Sequence, residues 1–244
     1  MKQNIYDHET FFEYYRSHRK TGVTYNDFVE QPAMKAALPD LHGKSILDLG
    51  CGTGDFAKYC VDHGASSVMG VDLSEKMLNQ AIFENSHEKI EYVCSSIEEY
   101  VAVDDSFDVI ISSLAFHYIE DFTELIKKIS RWLKPGGKLV FSVEHPVVTA
   151  RLEMNNWVID QDKNKLHWAF DNYHEEGMRE QEWVIKGVVK YHRTLSTIVN
   201  TVIKEGLVLE ELREPQSIPI GLERLPKLVN EKRRPSFLIV KAGK

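Results

Sequence analysis

Residues 44–55, KSILDLGCGTGD, determine the fold that we expect for the surrounding chain. Residues 45–49 have the short apolar pattern of a buried strand, and a glycine loop and the start of a helix follow. The loop glycines are Gly50, Gly52 and Gly54. Glycine permits positive φ and lets a ligand approach the backbone closely. The spacing D-x-G-x-G-x-G differs from the dinucleotide pattern G-x-G-x-x-G, and Asp48 at the edge of the loop favours a ligand that carries positive charge.

Residues 46–56, ILDLGCGTGDF, resemble motif I of the class I S-adenosylmethionine-dependent methyltransferases. The apolar strand, the acid, the three glycines and the small residues between them all match. The resemblance implies S-adenosylmethionine as the cofactor. It also implies an α/β fold, with a Rossmann-like seven-stranded, mostly parallel sheet, helices on both faces and an antiparallel last strand. It covers residues 40–145 firmly and the C-terminal elements loosely.

The chain around this motif alternates predicted strands and helices. Predicted strands cover residues 45–49, 67–72, 90–94, 107–112, 138–143, 207–213 and 236–241. Predicted helices cover residues 27–38, 55–63, 121–133, 194–205 and 223–230, and another begins after Ser74 as its N-cap. Residues 134–137, KPGG, predict a turn. Short apolar strands in this order predict a parallel sheet covered on both faces.

Four segments are expected along the chain. Residues 1–43 form an N-terminal helical cover, and residues 44–145 form the cofactor-binding Rossmann-like core. Residues 146–192 form an aromatic-rich insertion or lid, and residues 193–244 add the C-terminal helix and strands that complete the core. The insertion holds three of the four tryptophans, and its aromatic residues either form a substrate wall or fill a small core of their own.

The bulk composition argues against several classes of protein. The net charge of -7 disfavours a nucleic-acid partner. Three cysteines without a C-x-x-C pair predict neither a disulfide framework nor a metal site, and they favour a reducing cytoplasm. The chain has no run of 18 apolar residues and no apolar N-terminal signal core, so no membrane span is expected. We therefore expect a cytoplasmic protein, with the choice between monomer and homodimer left open.

The candidate cofactor-binding residues fall at strand ends and in the N-terminal segment. Asp72 ends the second strand and is placed to accept hydrogen bonds from ribose hydroxyls. The resemblance implies that Leu73 packs on the adenine. Ser96 stands where relatives often carry an acid for the adenine amino group, so that contact should be weaker and the backbone of Ile97 should contribute more. The other candidates are Asp48, Gly50, Cys51, Gly52, Gly54, Met77, the backbone of Ser112, and Tyr14, Arg16 and Tyr25 near the N-terminus.

The candidate catalytic residues follow the fourth and fifth strands. His117 lies in the segment 112–119, SSLAFHYI, which resembles motif IV of small-molecule methyltransferases. Glu144 and His145 end the fifth strand and adjoin the insertion. Each histidine can equally be structural. Weaker candidates for acceptor binding are Glu175 and His192.

We therefore expect an enzyme that transfers a methyl group from S-adenosylmethionine to an O, N or C atom of a small molecule. Transfer from a sulfonium depends mainly on alignment, and a base is needed only when the acceptor must lose a proton. The absence of an obvious catalytic dyad therefore does not argue against an enzyme. An RNA or protein methyltransferase and a non-catalytic, methyltransferase-like regulator that binds the cofactor stay open. The glycine spacing disfavours a nicotinamide oxidoreductase.

Overall fold

A seven-stranded sheet forms the centre of the structure, a computed structural model that describes residues 3–153 and 156–244. The strands are β1 (Ser45–Leu49), β2 (Ser67–Asp72), β3 (Ile90–Cys94), β4 (Phe107–Ser113), β5 (Leu133–Glu144), β6 (Trp157–Ile159), β7 (Lys165–Trp168), β8 (Gly177–Trp183), β9 (Ile185–His192), β10 (Val208–Arg213) and β11 (Phe237–Gly243). The helices are α1 (Glu9–Lys20), α2 (Gln31–Ala37), α3 (Asp55–Asp62), α4 (Glu75–Asn85), α5 (Phe122–Trp132), α6 (Pro146–Thr149), α7 (Leu195–Lys204) and α8 (Pro219–Arg224). Within the described ranges, none of the helices is long and apolar enough to cross a membrane.

The sheet has the strand order β10-β11-β5-β4-β1-β2-β3. Strands β1 to β5 pair in parallel, and β11 is antiparallel to both β5 and β10. This order confirms the predicted Rossmann-like sheet with an antiparallel last strand. From β1 the chain adds β2 and β3 on one side, and it then crosses to add β4 and β5 on the other side, so the strand order reverses between β1 and β4. Ligands of open α/β sheets bind beyond the carboxyl ends of the strands at such a point.

Alternate residues of β1 pack on opposite faces of the sheet, as the two-residue period of a strand requires. Leu47 and Leu49 belong to a buried cluster with α5 and α7. Ile46 belongs to a second cluster with α2 and α3. Asp48 lies two residues after Ile46 and therefore on the α2 and α3 side, at the carboxyl end of the strand. Burial of both faces explains why β1 reads as an almost continuous apolar run.

The chain before β1 packs against the hairpin β8–β9. Ile5, Phe11 and Val188 form one buried cluster, which joins the N-terminal segment to β9. The second hairpin, β6–β7, pairs Trp157 with Trp168 at a ring-centroid distance of 5.0 Å. The described part of the insertion thus consists of α6 and two hairpins.

Two predicted helices are interrupted by proline. The predicted helix 27–38 is divided into a π-helical segment, Asn26–Glu30, and α2, which begins around Pro32. The predicted helix 223–230 is divided between α8 and a 3-10 helix, Pro226–Lys232. Proline has no N–H to donate to the preceding turn, so it begins a helix more readily than it continues one.

The predicted turn at residues 134–137 lies inside β5 instead of before it. Phe107 pairs with Leu133 and Val109 pairs with Lys138, so the four residues between the two pairs bulge out of the ladder. Gly136 supports the bulge with a φ of 81°. A bulge and a turn both place glycine at positive φ, so the sequence alone does not distinguish them.

Candidate functional site

A cavity of about 760 Å³ lies beyond the carboxyl ends of β1, β2 and β4, and its size is typical of a ligand site. Thirteen of the predicted site residues line it: Tyr14, Tyr25, Asp48, Gly50, Cys51, Gly52, Asp72, Leu73, Met77, Ser96, Ile97, His117 and Glu144. The other six, Arg16, Gly54, Ser112, His145, Glu175 and His192, are not part of the lining. The fold therefore brings most of the predicted residues to one place.

The glycine loop is held by hydrogen bonds to β2 and by close packing against side chains from other parts of the sheet edge. Gly50 and Cys51 both donate their N–H groups to the Val71 carbonyl, at 2.8 and 3.0 Å. Gly50 has a φ of 74°, and a Cβ there would come within 2.5 Å of the Ala115 Cβ. Gly54 has a φ of 79°, and a Cβ there would come within 2.2 Å of the Tyr92 hydroxyl. These two glycines are thus required by close packing around the loop as well as by its backbone conformation.

Asp72 connects the glycine loop to the end of β2. Its Oδ2 accepts the Gly52 N–H at 2.8 Å, and its Oδ1 accepts the Ser74 N–H at 2.9 Å. Burial raises the pKa of Asp72, while these two N–H groups act in the opposite direction. An ionised carboxylate has about four acceptor positions, so Asp72 can accept further hydrogen bonds from a ligand in the cavity.

Asp48 is a buried carboxyl that lacks a hydrogen bond at one oxygen. Its exposed fraction is 2%, and its Oδ2 has no hydrogen-bond partner among the described residues. Burial, with a smaller contribution from the nearby acids Asp72, Asp55 and Glu30, raises the pKa of Asp48 to about 8. A positively charged group in the cavity would favour the carboxylate form of this side chain.

Ser96 and Ser112 lie near strand ends, and the side chain of each makes a hydrogen bond to a backbone group of the protein. Ser96 is buried, and its Oγ accepts the Glu99 N–H at 3.2 Å, which begins the turn after β3. Ser112 is also buried, and its Oγ donates to the Leu49 carbonyl at 2.7 Å inside the sheet. Ser96 lines the cavity, whereas Ser112 does not and instead bonds to β1 inside the sheet.

The arginine that reaches the cavity is Arg19 and not the predicted Arg16. Arg16 is paired with Glu13 on the surface at 2.9 Å. Arg19 lines the cavity near Asp27 and Asp55, at 3.7 and 3.4 Å, and its Nη1 is buried without a hydrogen-bond partner among the described residues.

Helical periodicity could have identified Arg19 from the sequence. The aromatic residues Phe11 and Tyr15 and the cation Arg19 are spaced four apart on α1, so they share one face. Phe11 is fully buried, and Tyr15 and Arg19 both line the cavity.

His117 and Glu144 lie side by side at another part of the cavity. The Glu144 Oε1 accepts from Lys190 Nζ at 2.6 Å, and its Oε2 has no hydrogen-bond partner among the described residues. Burial alone would raise the pKa of Glu144, but the Lys190 ammonium, which donates a hydrogen bond to it, holds the pKa below its usual value, so the carboxylate is ionised. His117 Nδ1 accepts the Glu144 backbone N–H at 3.4 Å, which leaves the proton of the neutral ring on Nε2.

Burial is also the main reason for the low basicity of His117. Burial, with smaller contributions from Lys190 and Arg193 and against the opposing effect of Glu144, lowers the pKa of this side chain to about 4. His117 is therefore neutral at pH 7 and can donate a hydrogen bond through Nε2.

His145 faces away from the cavity. Its Nδ1 accepts the Val147 N–H at 3.1 Å, which caps α6, and its Nε2 lies 2.9 Å from a Glu214 oxygen. Successive residues of an extended chain point to opposite sides, so Glu144 reaches the cavity and His145 does not. The geometry gives His145 the role of a helix cap.

Aromatic residues from the N-terminal segment and the insertion, which we call the roof, line one part of the cavity next to Tyr118. Tyr6 lies edge-on to Tyr15 at 5.2 Å, and both line the cavity with Tyr118, Trp183 and Tyr191. The Gln3 side chain makes two hydrogen bonds with the backbone of Val189, at 3.1 and 2.6 Å. The roof therefore combines two segments that are far apart in sequence.

The part of the chain that the structure describes contains no group of three or more His, Cys, Asp or Glu side chains arranged to hold a metal ion.

Comparisons with known proteins agree on one class of protein. A family model for a methyltransferase domain matches residues 47–141. An uncharacterized protein of Haemophilus influenzae is 38% identical over 259 residues, in an alignment that covers 100% of this chain and 98% of the relative. The solved structure of an S-adenosylmethionine-dependent methyltransferase from Mesorhizobium loti is 41% identical, with a TM-score of 0.82 and coverage of 88% of this chain and 97% of that one. The ubiquinone biosynthesis O-methyltransferase of Coxiella burnetii is 38% identical over 104 residues, which are 42% of this chain and 44% of that protein.

Proposed function

Because this chain belongs to the class I S-adenosylmethionine-dependent methyltransferases, we propose that it methylates a small molecule inside the roofed cavity. The roof is the observation that carries this proposal. The cavity volume of about 760 Å³ suits a cofactor together with a small acceptor, and the two segments that Gln3 and Val189 join both line it. The partial similarity to a ubiquinone biosynthesis O-methyltransferase also favours a small acceptor. The N-terminal cover (residues 1–43) and the insertion (residues 146–192) would then enclose the reactants.

The residues around the glycine loop fit S-adenosylmethionine. Asp72 would accept hydrogen bonds from the ribose hydroxyls, in addition to those from Gly52 and Ser74. Within the described part of the chain, one Asp48 oxygen has no hydrogen-bond partner, and a cofactor that carries a sulfonium and an ammonium group would supply the missing positive charge. Arg19 has a nitrogen that makes no hydrogen bond to any residue the structure describes, which suits the cofactor's carboxylate. The acidic Asp48 would thus face the positive groups of the cofactor, and the basic Arg19 would face its carboxylate.

Apolar and backbone groups would complete the cofactor site. Leu73, Met77 and Ile97 line the cavity and would pack on the adenine. The side-chain oxygen of Ser96 already accepts a backbone N–H, so an adenine contact there would be weak. Cys51, Gly52 and Tyr25 would contribute contacts along the rest of the cofactor.

The protein's own contribution to the reaction is alignment, since the bound cofactor supplies an activated methyl group on a sulfonium. His117 would donate from Nε2 to the acceptor, and the ionised Glu144 would accept from it. His117, with a pKa of about 4, is a weak base at pH 7. Positioning, with exclusion of water by the roof, is therefore the main catalytic device in this proposal.

Fractionation of a labelling reaction tests the size of the acceptor. Purified protein is incubated with extract and S-adenosylmethionine that carries tritium in its methyl group, and the same extract without added protein is the control. We expect protein-dependent label in the small-molecule filtrate. Label that appears only in the protein or RNA fractions would contradict a small acceptor.

The affinity for S-adenosylmethionine should rise between pH 6 and pH 8. Burial raises the pKa of Asp48 to about 8 in the ligand-free protein, so the carboxyl is mostly protonated at pH 7. A cationic ligand lowers that pKa, and binding then releases a proton. The expected gain is up to about tenfold in affinity per pH unit in this range. Calorimetry in two buffers of different ionisation enthalpy measures the released proton.

Asp48→Asn is the control for this pH dependence. This variant should bind more weakly at pH 8 and should lose most of the proton release. An unchanged proton release in Asp48→Asn would assign it to another group and contradict the role of Asp48.

A further inference from the structure

The charge of the cavity wall is strongly unbalanced. Six carboxyl residues line it: Asp48, Asp55, Asp72, Glu98, Glu120 and Glu144. Among the described lining residues the only lysine or arginine is Arg19, and Asp27 and Asp55 both lie close to its guanidinium. Asp48 is mostly protonated at pH 7, but an anionic acceptor would still meet the ionised Glu144, and a low dielectric strengthens that repulsion.

The cation nearest to Glu144 is Lys190, and it forms a buried ion pair with Glu144. Lys190 has a side-chain exposure of 3%, donates to the Glu144 Oε1 at 2.6 Å and lies 5.6 Å from the centre of the Trp183 ring. It keeps Glu144 ionised and does not line the cavity. The second carboxylate oxygen of Glu144 makes no hydrogen bond with any described residue. The pair thus presents an acceptor of hydrogen bonds and no free positive charge.

Five aromatic residues also belong to the cavity wall. Tyr6, Tyr15, Tyr118, Trp183 and Tyr191 line the cavity. Aromatic faces attract cations, and a desolvated pair of this kind contributes about 2 kcal/mol. Burial raises the pKa of Tyr118 and Tyr6 well above the usual value, so these phenols stay neutral and add no positive or negative charge of their own.

From this wall we propose that the methyl acceptor is a small amine, held through its nitrogen by Glu144 and surrounded by the aromatic roof. This inference rests on the proposed function, because it concerns the acceptor of the same transfer. Carboxylic acids and phosphate esters are disfavoured by the same wall. Neutral His117 fits this assignment, since it adds no charge that would repel an amine.

The charges balance in the transfer step. The amine first loses its proton to water and reacts as the free base, with one N–H directed at Glu144. Its lone pair forms the new N–C bond to the methyl carbon as the C–S bond breaks, and the electron pair of that bond stays on sulfur. The positive charge moves from sulfur to nitrogen, where the Glu144 carboxylate stabilises it, and the product ammonium later releases a proton to water. Lys190 acts as a positioning residue that holds Glu144 ionised.

A pair of probes of opposite charge and similar shape tests the inference. Protein saturated with S-adenosylhomocysteine is titrated with phenethylamine and, separately, with 3-phenylpropionate. We expect the amine to bind at least tenfold more tightly than the acid. Equal affinities, tighter binding of the acid or no detectable binding of the amine would overturn the inference while leaving the proposed function in place. Failure to bind S-adenosylhomocysteine would remove the proposed function itself.

Variants of Glu144 test whether this side chain causes the preference for the amine over the acid. Glu144→Gln should lose the preference for the amine and keep the affinity for S-adenosylhomocysteine. Since this change leaves Lys190 buried without its partner, the double variant Glu144→Gln/Lys190→Met tests the same point with both charges removed. Glu182→Gln, which alters an exposed carboxylate on β8, is the matched control and should keep the preference. An amine preference that survives in both Glu144 variants would overturn the assignment.

Discussion

Gly50→Ala is expected to destabilise the protein and to abolish cofactor binding. A left-handed backbone costs an alanine about 1–2 kcal/mol, and φ at Gly50 is 74°. The new Cβ would also meet the Ala115 Cβ at 2.5 Å, and overpacking of this kind costs about 1–3 kcal/mol. Together these terms lower the free energy of unfolding by roughly 2–5 kcal/mol. Any relief of the clash moves the loop that lines the cavity, so binding is lost with stability.

Gly136→Ala is the matched control for this prediction. Gly136 has a φ of 81°, but an added Cβ there meets no atom within 4 Å. The control should therefore show only the conformational cost of about 1–2 kcal/mol and should bind the cofactor normally. Thermal melting measures the stabilities, with about 2–4 °C expected per kcal/mol for a chain of this size. Equal losses in the two variants would show that the contact with Ala115 does not constrain the loop.

Arg19→Met should weaken S-adenosylmethionine binding by roughly 10- to 100-fold. A hydrogen bond between charged groups contributes about 1.5–3 kcal/mol, and each 1.4 kcal/mol is about a factor of ten in affinity. The Arg19 guanidinium lines the cavity, and its Nη1, which lies 3.7 Å from an Asp27 oxygen, has no hydrogen-bond partner among the described residues. Methionine keeps the apolar stem of the side chain and removes the charge, so the packing of α1 changes little. Calorimetric titration gives the affinity directly.

Arg16→Met on the same helix is the control. Arg16 is paired with Glu13 at the surface, and exposed pairs of this kind contribute at most about 1 kcal/mol to stability. We expect its cofactor affinity to match that of the unaltered protein. A larger loss in Arg16→Met than in Arg19→Met would show that the guanidinium of Arg19 is not the group that binds the cofactor.

The core of the fold could be predicted because its signals are local. Residues 45–49 and 67–72 are short apolar runs between glycine and turn residues, and both are strands in the structure. Ser74 was recognisable as an N-cap, and its Oγ accepts the Met77 N–H at 3.1 Å. In a parallel sheet the ends of such strands meet at one edge, so the sequence could also place Asp48 near Asp72.

The roof could not be predicted, because it depends on contacts between distant parts of the chain. Gln3 binds Val189 across 186 positions, and no local pattern encodes that pairing. Lys190 likewise meets Glu144 only after the hairpin β8–β9 folds over the sheet. The choice of Arg19 over Arg16 was, in contrast, within reach of helical periodicity. Thus the cofactor end of the cavity follows from local sequence, and the acceptor end follows from long-range packing.

Calorimetric titration of the purified protein with S-adenosylhomocysteine tests the central claim most directly. The cavity at the carboxyl edge, the glycine loop and the acids Asp48 and Asp72 predict one binding site per chain. We expect saturable binding with a stoichiometry of one and a loss of affinity in Asp72→Asn. The absence of binding by folded, unaltered protein would contradict the account.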